Sequence, residues 1–365
     1  MVSATARIFP GLKIKSSHAR ARLVLVGLVV LLGVLVLLAV DKGAVEISLA
    51  QCLAIIGHKL GLTLPWPFTA QQAATLIDIR LPRVLLGVLV GAGLGVSGAA
   101  MQGLFRNPLA DPSLVGISAG AALAATLVII VGDVVSFHLP PLVQLCALPI
   151  AAFAGGLLTT VLVYRLATIA GQTVVATLLL AGIAINALAQ SFSGLITFYA
   201  TDTQIRSITF WKLGSLGGAT WPSVMVAAPF ILAPVLLFPR LARGLNALLL
   251  GEAEAGHLGI DIERVKRVTI FLVALTVGAA VAVTGIIAFV GLVVPHLLRL
   301  LVGPDHRRLL PDAALLGASL LLGADLVART IVAPAELPIG VLTALIGAPF
   351  FLWLLLHDRK WRVIH

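Results

Sequence analysis

Long apolar runs alternate with short polar segments along most of the chain. A membrane-spanning helix needs about 20 apolar residues to cross about 30 Å of hydrocarbon, and ten runs approach that length or form part of a crossing. They cover residues 23–40, 84–103, 114–131, 142–166, 174–198, 222–238, 268–289, 291–302, 313–332 and 340–356. The run 291–302 is too short to cross alone and contains Pro295, which predicts a broken or half helix. The pattern predicts an all-α polytopic membrane protein with about ten transmembrane helices.

The composition agrees with this fold class. Only 11% of the residues are charged, against about 25% in soluble domains, and the mean hydropathy is +1.11. The net charge of +10 does not indicate nucleic-acid binding, because the basic residues lie between the apolar runs and form no single stripe. We expect a basic cytoplasmic segment at 1–22, one transmembrane domain at 23–356 and a cytoplasmic tail at 357–365.

The basic residues also predict the orientation. With a cytoplasmic N-terminus and ten crossings, all but seven of the 25 Lys and Arg residues face the cytoplasm, as the positive-inside rule requires. The seven on the outer side are Lys42, Lys59, Arg80, Arg83, Arg206, Lys212 and Arg329. The first run is long for a signal peptide and no small-residue cleavage site follows it, so we expect it to be retained as a span.

Small residues indicate close packing between helices. Gly87, Gly91 and Gly95 recur at i, i+4 and i+8, on one face of the second span. In lipid, small residues let helix backbones approach, and much of the packing energy comes from that approach. The pattern D-x-x-L-x-G-x-S occurs at 111–118 and again at 312–319, where each Asp is expected to cap a helix N-terminus. The repeat indicates either a shared helix start or duplicated halves.

A polar turn interrupts the apolar pattern at RNPLADPSLVGISAGAA, residues 106–122. Asp111 and Pro112 are expected to begin a helix there, since proline fits a first turn whose N–H needs no partner. We expect a structural pivot, not a substrate site. Its residues are Asn107, Pro108, Asp111, Pro112, Gly116 and Gly120.

The sequence lacks an energy source of its own. It contains neither G-x-x-x-x-G-K-[ST] nor any Gly-Lys dipeptide, so we expect no ATP hydrolysis by this chain. No carboxylate lies at the predicted centre of a span; Asp325 and Arg329 are spaced to pair near the outer end of the ninth. No set of residues for hydrolysis is evident, and His296 is expected to be structural. These absences disfavour a secondary transporter and a membrane enzyme, which remain the alternatives to a conduit driven by a partner.

Five stretches follow the order and spacing of one known family. They are RLPRVLLGVLVGAGLGVSGAAMQGLFRNPLADPSLVGISAGAA (80–122), LLLAGIAINAL (178–188), LGEAEAGHLGI (250–260), GIIAFVGLVVPHLLRLLVGPDHRRLLP (285–311) and ADLVARTIVAPAELPIGVLTALIGAPFFLWLL (324–355). The chain thereby resembles the permease subunits of the iron-siderophore, haem and cobalamin ABC importers, with the type II (BtuC-like) fold.

That resemblance implies a machine with several partners. The permease would form a homodimer in the bacterial inner membrane, with both termini cytoplasmic. Two ATPase subunits would bind on the cytoplasmic side, and a periplasmic binding protein would deliver the substrate. No permanently bound cofactor is implied, because ATP is used by the partner subunits.

The resemblance also implies roles for individual residues. Arg80, Arg83 and Arg329 match outer-face arginines that pair with glutamates of the binding protein, with interfacial anchoring as the alternative. Segment 245–260 matches the helices that couple to the ATPase, although a surface helix at the membrane interface is an alternative. Its named residues are Leu245, Leu248, Leu249, Gly251, Glu252, Glu254, Gly256, Leu258 and Gly259.

The resemblance also implies a cytoplasmic gate at Gln172, Thr173 and Thr177. This chain reads QTVVAT there, whereas a member of the family carries a Thr-Ser pair. For the substrate, the outer segment TFWKLGSLGGATW (209–221) is most similar to the haem permeases. Haem is therefore the expected substrate, with ferric siderophore and cobalamin as alternatives.

Overall fold

The computed structural model describes residues 17–43, 45–135, 140–332 and 335–363. Most of the expected basic N-terminal segment, residues 1–16, and residues 364–365 of the expected tail lie outside the described residues. The described helices are α1 (Ser17–Asp41), α2 (Leu49–Lys59), α3 (Ala70–Ala74), α4 (Leu81–Leu104), α5 (Ile117–Val135), α6 (Pro141–Ala167), α7 (Val175–Phe198), α8 (Asp202–Leu213), α9 (Trp221–Leu250), α10 (Glu252–His257), α11 (Ile262–Thr284), α12 (Val290–Val302), α13 (His306–Thr330) and α14 (Ile339–Val363).

Three smaller elements complete the described chain. A π-helical stretch, Thr75–Arg80, joins α3 to α4, and a 3-10 turn, Pro112–Val115, precedes α5. Between α6 and α7, strands β1 (Thr168–Ile169) and β2 (Gln172–Thr173) pair antiparallel as a hairpin.

The ten predicted runs overlap α1, α4 to α7, α9 and α11 to α14. Among the described residues, seven helical segments are long and apolar enough to cross a membrane: α1, the continuous α3–α4 segment, α6, α7, α9, α11 and α13. Helices α5, α12 and α14 carry shorter apolar stretches. The prediction of an all-α membrane protein is confirmed.

Helix α4 forms the centre of the bundle. It makes its most extensive contacts with α13 and also packs against α9, α11 and α12. The predicted glycine stripe faces α13, where Gly91 lies against Gly317 and Gly95 against Ala313. Glycine has no side chain to hold the helices apart, so at Gly91 and Gly95 the backbone of α4 touches that of α13 directly.

Helix α12 confirms the predicted half helix. Its 13 residues span only about 20 Å at 1.5 Å per residue. The preceding helix α11 ends at Thr284, earlier than the predicted run, and the chain continues without helical structure until Val290. Phe289 has a φ of 68°, a left-handed conformation that is uncommon for a bulky side chain.

Two predicted helix starts are wrong. Asp111 accepts a hydrogen bond from the Ser113 N–H at 2.8 Å, but it starts the 3-10 turn and not α5. Gly116 ends that turn with a φ of 90°, so the chain changes direction before the helix begins. In the second copy of the repeat, Asp312 lies buried inside α13, whose N-cap is Asp305. The repeat therefore does not mark equivalent helix starts.

Candidate functional sites at the two ends of the bundle

Distinct polar clusters lie at the two ends of the bundle. The end with the 105–116 turn, the hairpin and α10 is called the inner face, and the end with α2 and α8 the outer face. The names follow the orientation expected from the basic residues.

The residues predicted to form a gate lie in the hairpin and the start of α7. The hairpin tip, Ala170 and Gly171, has φ angles of 50° and 79°, as in a type I′ turn. Gln172 is exposed, Thr173 is buried, and Thr177 is half-buried in the first turn of α7. The structure thus places the three residues predicted to form a gate together at the inner face.

A buried lysine ties this hairpin to the neighbouring helices. Lys266, on α11, is 2% exposed, and its Nζ donates to the Thr173 carbonyl at 2.7 Å, to Glu252 at 2.8 Å and to Glu263 at 3.0 Å. Glu263 in turn accepts the Thr173 N–H at 2.9 Å. An ammonium has three donors, so all three are used within the protein.

A cleft of about 510 Å³ opens beside Lys266. Its charged lining residues are Arg106, Glu252, Asp261, Glu263 and Lys266. Two cations against three carboxylates leave one net negative charge, although the chain as a whole carries +10.

The segment predicted to couple to an ATPase is divided by a turn at Gly251, whose φ is 125°. Leu245 and Leu248 precede the turn and are 0% and 1% exposed in the core. Helix α9 thus carries Leu245 and Leu248 into the bundle, whereas Leu249 is exposed, and the coupling role of the three leucines stays a prediction. Glu252 is half-buried. The exposed members of the predicted set are Leu249, Glu254, Gly256, Leu258 and Gly259.

The 105–116 turn is held by short local bonds. The Asn107 side chain accepts the Leu109 N–H at 2.9 Å, and Pro108 is exposed. Beyond the turn, Gly120 lies directly against Gly155 of α6. These contacts fit the expected structural role of the turn.

Two of the three outer arginines cap α1. Arg80 is 3% exposed and donates to the carbonyls of Val40, at 2.6 Å, Asp41, at 2.8 Å, and Val45. Arg329 donates to the Ala39 carbonyl at 2.6 Å. The last carbonyls of a helix have no partner within it, and cations are favourable at its negative end.

The third arginine joins two carboxylates. Arg83 donates to Asp325 at 2.8 Å and to Glu336 at 2.7 Å, and its side chain is 8% exposed. Arg329 lies 3.7 Å from the same Asp325, which confirms the predicted pairing along α13. Asp325 is 1% exposed, whereas Glu336 is 43% exposed. The hydrogen bond from Arg83 holds the pKa of Glu336 below its ordinary range.

An apolar groove of about 520 Å³ follows α14 towards the outer face. Apart from Lys212 at the end of α8, its lining side chains are all apolar, among them Leu345 and Leu352. The Lys212 Nζ donates to the Ser193 hydroxyl at 3.0 Å, and burial lowers the pKa of Lys212.

His296 lies among aromatic rings in α12. Its ring centre is 6.0 Å from that of Phe350 and 6.2 Å from that of Phe351. Within the part of the chain that the structure describes, no three His, Cys, Asp or Glu side chains are grouped to hold a metal ion.

Comparison with known proteins identifies the family. The model of the FecCD transport family matches residues 14–357. The chain belongs to the FecCD transport family. Among similar proteins, the hemin transport system permease HmuU of Yersinia pestis is 47% identical over 95% of this chain and 99% of its own length. The cobalamin import system permease BtuC of Halobacterium salinarum is 44% identical over 82% of each protein.

A solved structure agrees with the fold of this FecCD family member. It is an ABC transporter assigned to the metal-chelate type, in an inward-facing conformation. The two chains superpose with a TM-score of 0.78 at 33% identity, over 91% of this chain and 98% of the other.

Three residues of this FecCD family chain were not found by sequence reasoning. Lys266 and Glu263 are spaced i, i+3 on one helix, which signals a local ion pair. That spacing could not show that Thr173 and Glu252 complete the cluster, since both come from other elements. Glu336 had no signal in the sequence, because it lies in a loop and its partner Arg83 is 253 residues away.

Proposed function

We propose that the chain is the membrane permease of an ATP-driven importer and that it moves haem. The observation that supports haem as the substrate is the 47% identity to a hemin transport permease over 95% of this chain. The outer segment 209–221 and the apolar groove beside Lys212 support the same choice, since haem is a flat apolar macrocycle with two carboxylates. Cobalamin is the second candidate, because a cobalamin permease is 44% identical over 82% of the chain.

We also propose the partners and the orientation implied by the family resemblance. Two copies of the chain would form the pathway in the inner membrane, with both termini in the cytoplasm. Two ATPase subunits would dock at α10 and the residues that follow it, and a periplasmic binding protein would dock at the outer face. The hairpin and the start of α7 would form the inner gate.

The substrate assignment predicts haem-stimulated ATP hydrolysis. In proteoliposomes that contain this permease, its ATPase and its binding protein, haem should raise ATPase activity several-fold and enter the lumen. Cobalamin and ferric siderophores should do neither. The measurement is phosphate release together with lumenal haem absorbance.

Two outcomes would contradict the proposal. Stimulation by cobalamin or a ferric siderophore in place of haem would reassign the substrate. Accumulation driven by an ion gradient in vesicles without the ATPase would favour a secondary transporter. Vesicles with an ATPase that binds but cannot hydrolyse ATP are the control.

Any role of the three arginines in docking a binding protein must be reconciled with their burial. We propose that Arg83 is held by Glu336 in the free permease and that a binding-protein carboxylate competes with Glu336. Glu336 is half-exposed and bonds Nη1 and Nη2 of the guanidinium, whereas the buried Asp325 bonds Nε and Nη2. Arg80 and Arg329 would act by fixing the end of α1 beside this position.

This competition predicts an unusual gain of affinity. Glu336→Gln should tighten binding of the binding protein by about two- to fivefold, the effect of an exposed ion pair worth up to about 1 kcal/mol. Surface plasmon resonance at several salt concentrations measures the change. Asp202→Asn removes another exposed outer carboxylate and serves as the matched control. Equal affinities for the two variants would refute the competition.

A further inference from the structure

The Lys266 cluster connects three elements of the inner face that are separate in sequence. Thr173 belongs to the hairpin, Glu252 begins α10, and Lys266 with Glu263 lies in the first turns of α11. The ammonium bonds to each of them at 2.7 to 3.0 Å. If α10 moves by more than the length of a hydrogen bond, it must therefore either pull Lys266 with it or break the bond between Lys266 and Glu252.

The bonds on the two sides of Lys266 differ in number and in the exposure of the partner. On the hairpin side, Lys266 and Glu263 bond both the carbonyl and the N–H of Thr173, and Thr173 is buried. On the α10 side, a single carboxylate makes the link, and the Glu252 side chain is 40% exposed at the cleft. Water can replace a half-exposed partner more easily than a buried one. The link is thus better protected from water at the hairpin than at α10.

Burial makes the released state unfavourable. Lys266 is 2% exposed, and a buried ammonium that loses a carboxylate keeps its charge in a poorly solvated place. The free energy is lower when Lys266 moves together with Glu252 than when their bond breaks. Thr173 is bonded to Lys266 and would move with it. Movement of α10 is therefore transmitted to the hairpin through one side chain.

We infer that Lys266 is a positioning residue that couples the movement of α10 to the hairpin at the inner end of α7. The inference rests on the proposed function, in which α10 contacts an ATPase and the hairpin belongs to the gate. It assigns the link to the bonds of Lys266 with Glu252 and with Thr173, and it does not depend on which substrate is carried.

The test measures hairpin movement in the assembled complex by electron paramagnetic resonance. Spin labels are placed at the exposed positions Ala170→Cys on the hairpin and Arg307→Cys at the start of α13, after Cys52→Ala and Cys146→Ala. The distance between the labels is compared without nucleotide and with ATP bound. We expect ATP to change this distance when Glu252 is present, and Glu252→Gln to remove most of the change.

Controls separate coupling from folding. Asp202→Asn removes an exposed carboxylate at the opposite, outer end of the bundle, and it should behave like the unaltered protein. Glu252→Gln should lower the substrate transported per ATP hydrolysed by about tenfold, within the range of coupling between sites. Lys266→Met should lower the same ratio, and the double variant should lower it no further.

The outcomes are distinct. A nucleotide-dependent distance change that persists in Glu252→Gln, or that is missing when Glu252 is intact, would overturn the inference. A complex whose hairpin moves through Glu252 but whose ATPase does not respond to haem would refute the proposed substrate and support the link.

Discussion

Replacing Gly95 by valine should abolish the folded permease. A Cβ atom at this position would lie only 3.1 Å from the carbonyl carbon of Ala313 and 3.3 Å from the Cα of Gly317. These are backbone atoms, so no side chain can rotate away and α4 must separate from α13. Overpacking of a core usually costs about 1–3 kcal/mol. We expect at least about 3 kcal/mol here, the upper end of that range, because the neighbouring contact of Gly91 with Gly317 is lost as well.

The destabilisation by Gly95→Val is measured as a loss of folded protein. Size-exclusion chromatography after detergent extraction should show loss of the monodisperse peak for Gly95→Val, and any remaining protein should melt at a lower temperature. Gly33→Val is the matched control, since nothing lies within 4 Å of a Cβ at that glycine of α1. Similar peaks and melting temperatures for both variants would contradict backbone contact between α4 and α13.

Arg83, Arg329, Asp325 and Glu336 form an ion-paired cluster at the outer face. Within this cluster, Asp325→Ala should be the most damaging change. Asp325 is 1% exposed, accepts hydrogen bonds from Arg83 and lies 3.7 Å from Arg329; the side chains of both arginines are 8% exposed. Its removal leaves two buried guanidinium groups with only the half-exposed Glu336 as a carboxylate partner. Loss of one partner from a buried ion pair costs about 3–5 kcal/mol, so we expect a destabilisation of that size.

Thermal unfolding in detergent tests this ranking. Glu336→Ala removes the other carboxylate of Arg83 and should cost about 1 kcal/mol or less, since that group is exposed to solvent. Arg83→Met combined with Asp325→Ala should cost less than the sum of the two single changes, because the pair is coupled. Equal destabilisation by Asp325→Ala and Glu336→Ala would show that burial does not govern the cluster.

The ion-paired cluster at the outer face also shows that arginines predicted from sequence to form a docking surface can be paired within their own chain. Positive residues on an outer face suggest groups that are free to meet a partner, and the family resemblance predicts that role for Arg80, Arg83 and Arg329. In the structure, all three arginines bond to groups of their own chain. The docking role of the arginines remains a prediction, and the variant that tests it is Glu336→Gln.

Much of the fold could be predicted because it depends on local chemistry. Runs of apolar residues predict spans wherever they occur, since an unpaired backbone cannot stay in lipid. The stripe of Gly87, Gly91 and Gly95 predicted a close-packed helix face, which α13 occupies. Pro295 and the shortness of its run predicted the half helix α12. The helix start at Asp111 was wrong, because the sequence pattern cannot distinguish a 3-10 turn from the first turn of an α-helix.

The sequence by itself determined the class of protein, the number of apolar segments and the expected orientation, because each depends on residues close together in the chain. Only the tertiary structure decided which charges meet. Arg83 bonds to residues 242 and 253 positions away, and Lys266 gathers Thr173, 93 positions away, with Glu252. A charged side chain buried in a membrane bundle must find a partner wherever folding brings one, and the linear pattern does not show where that is.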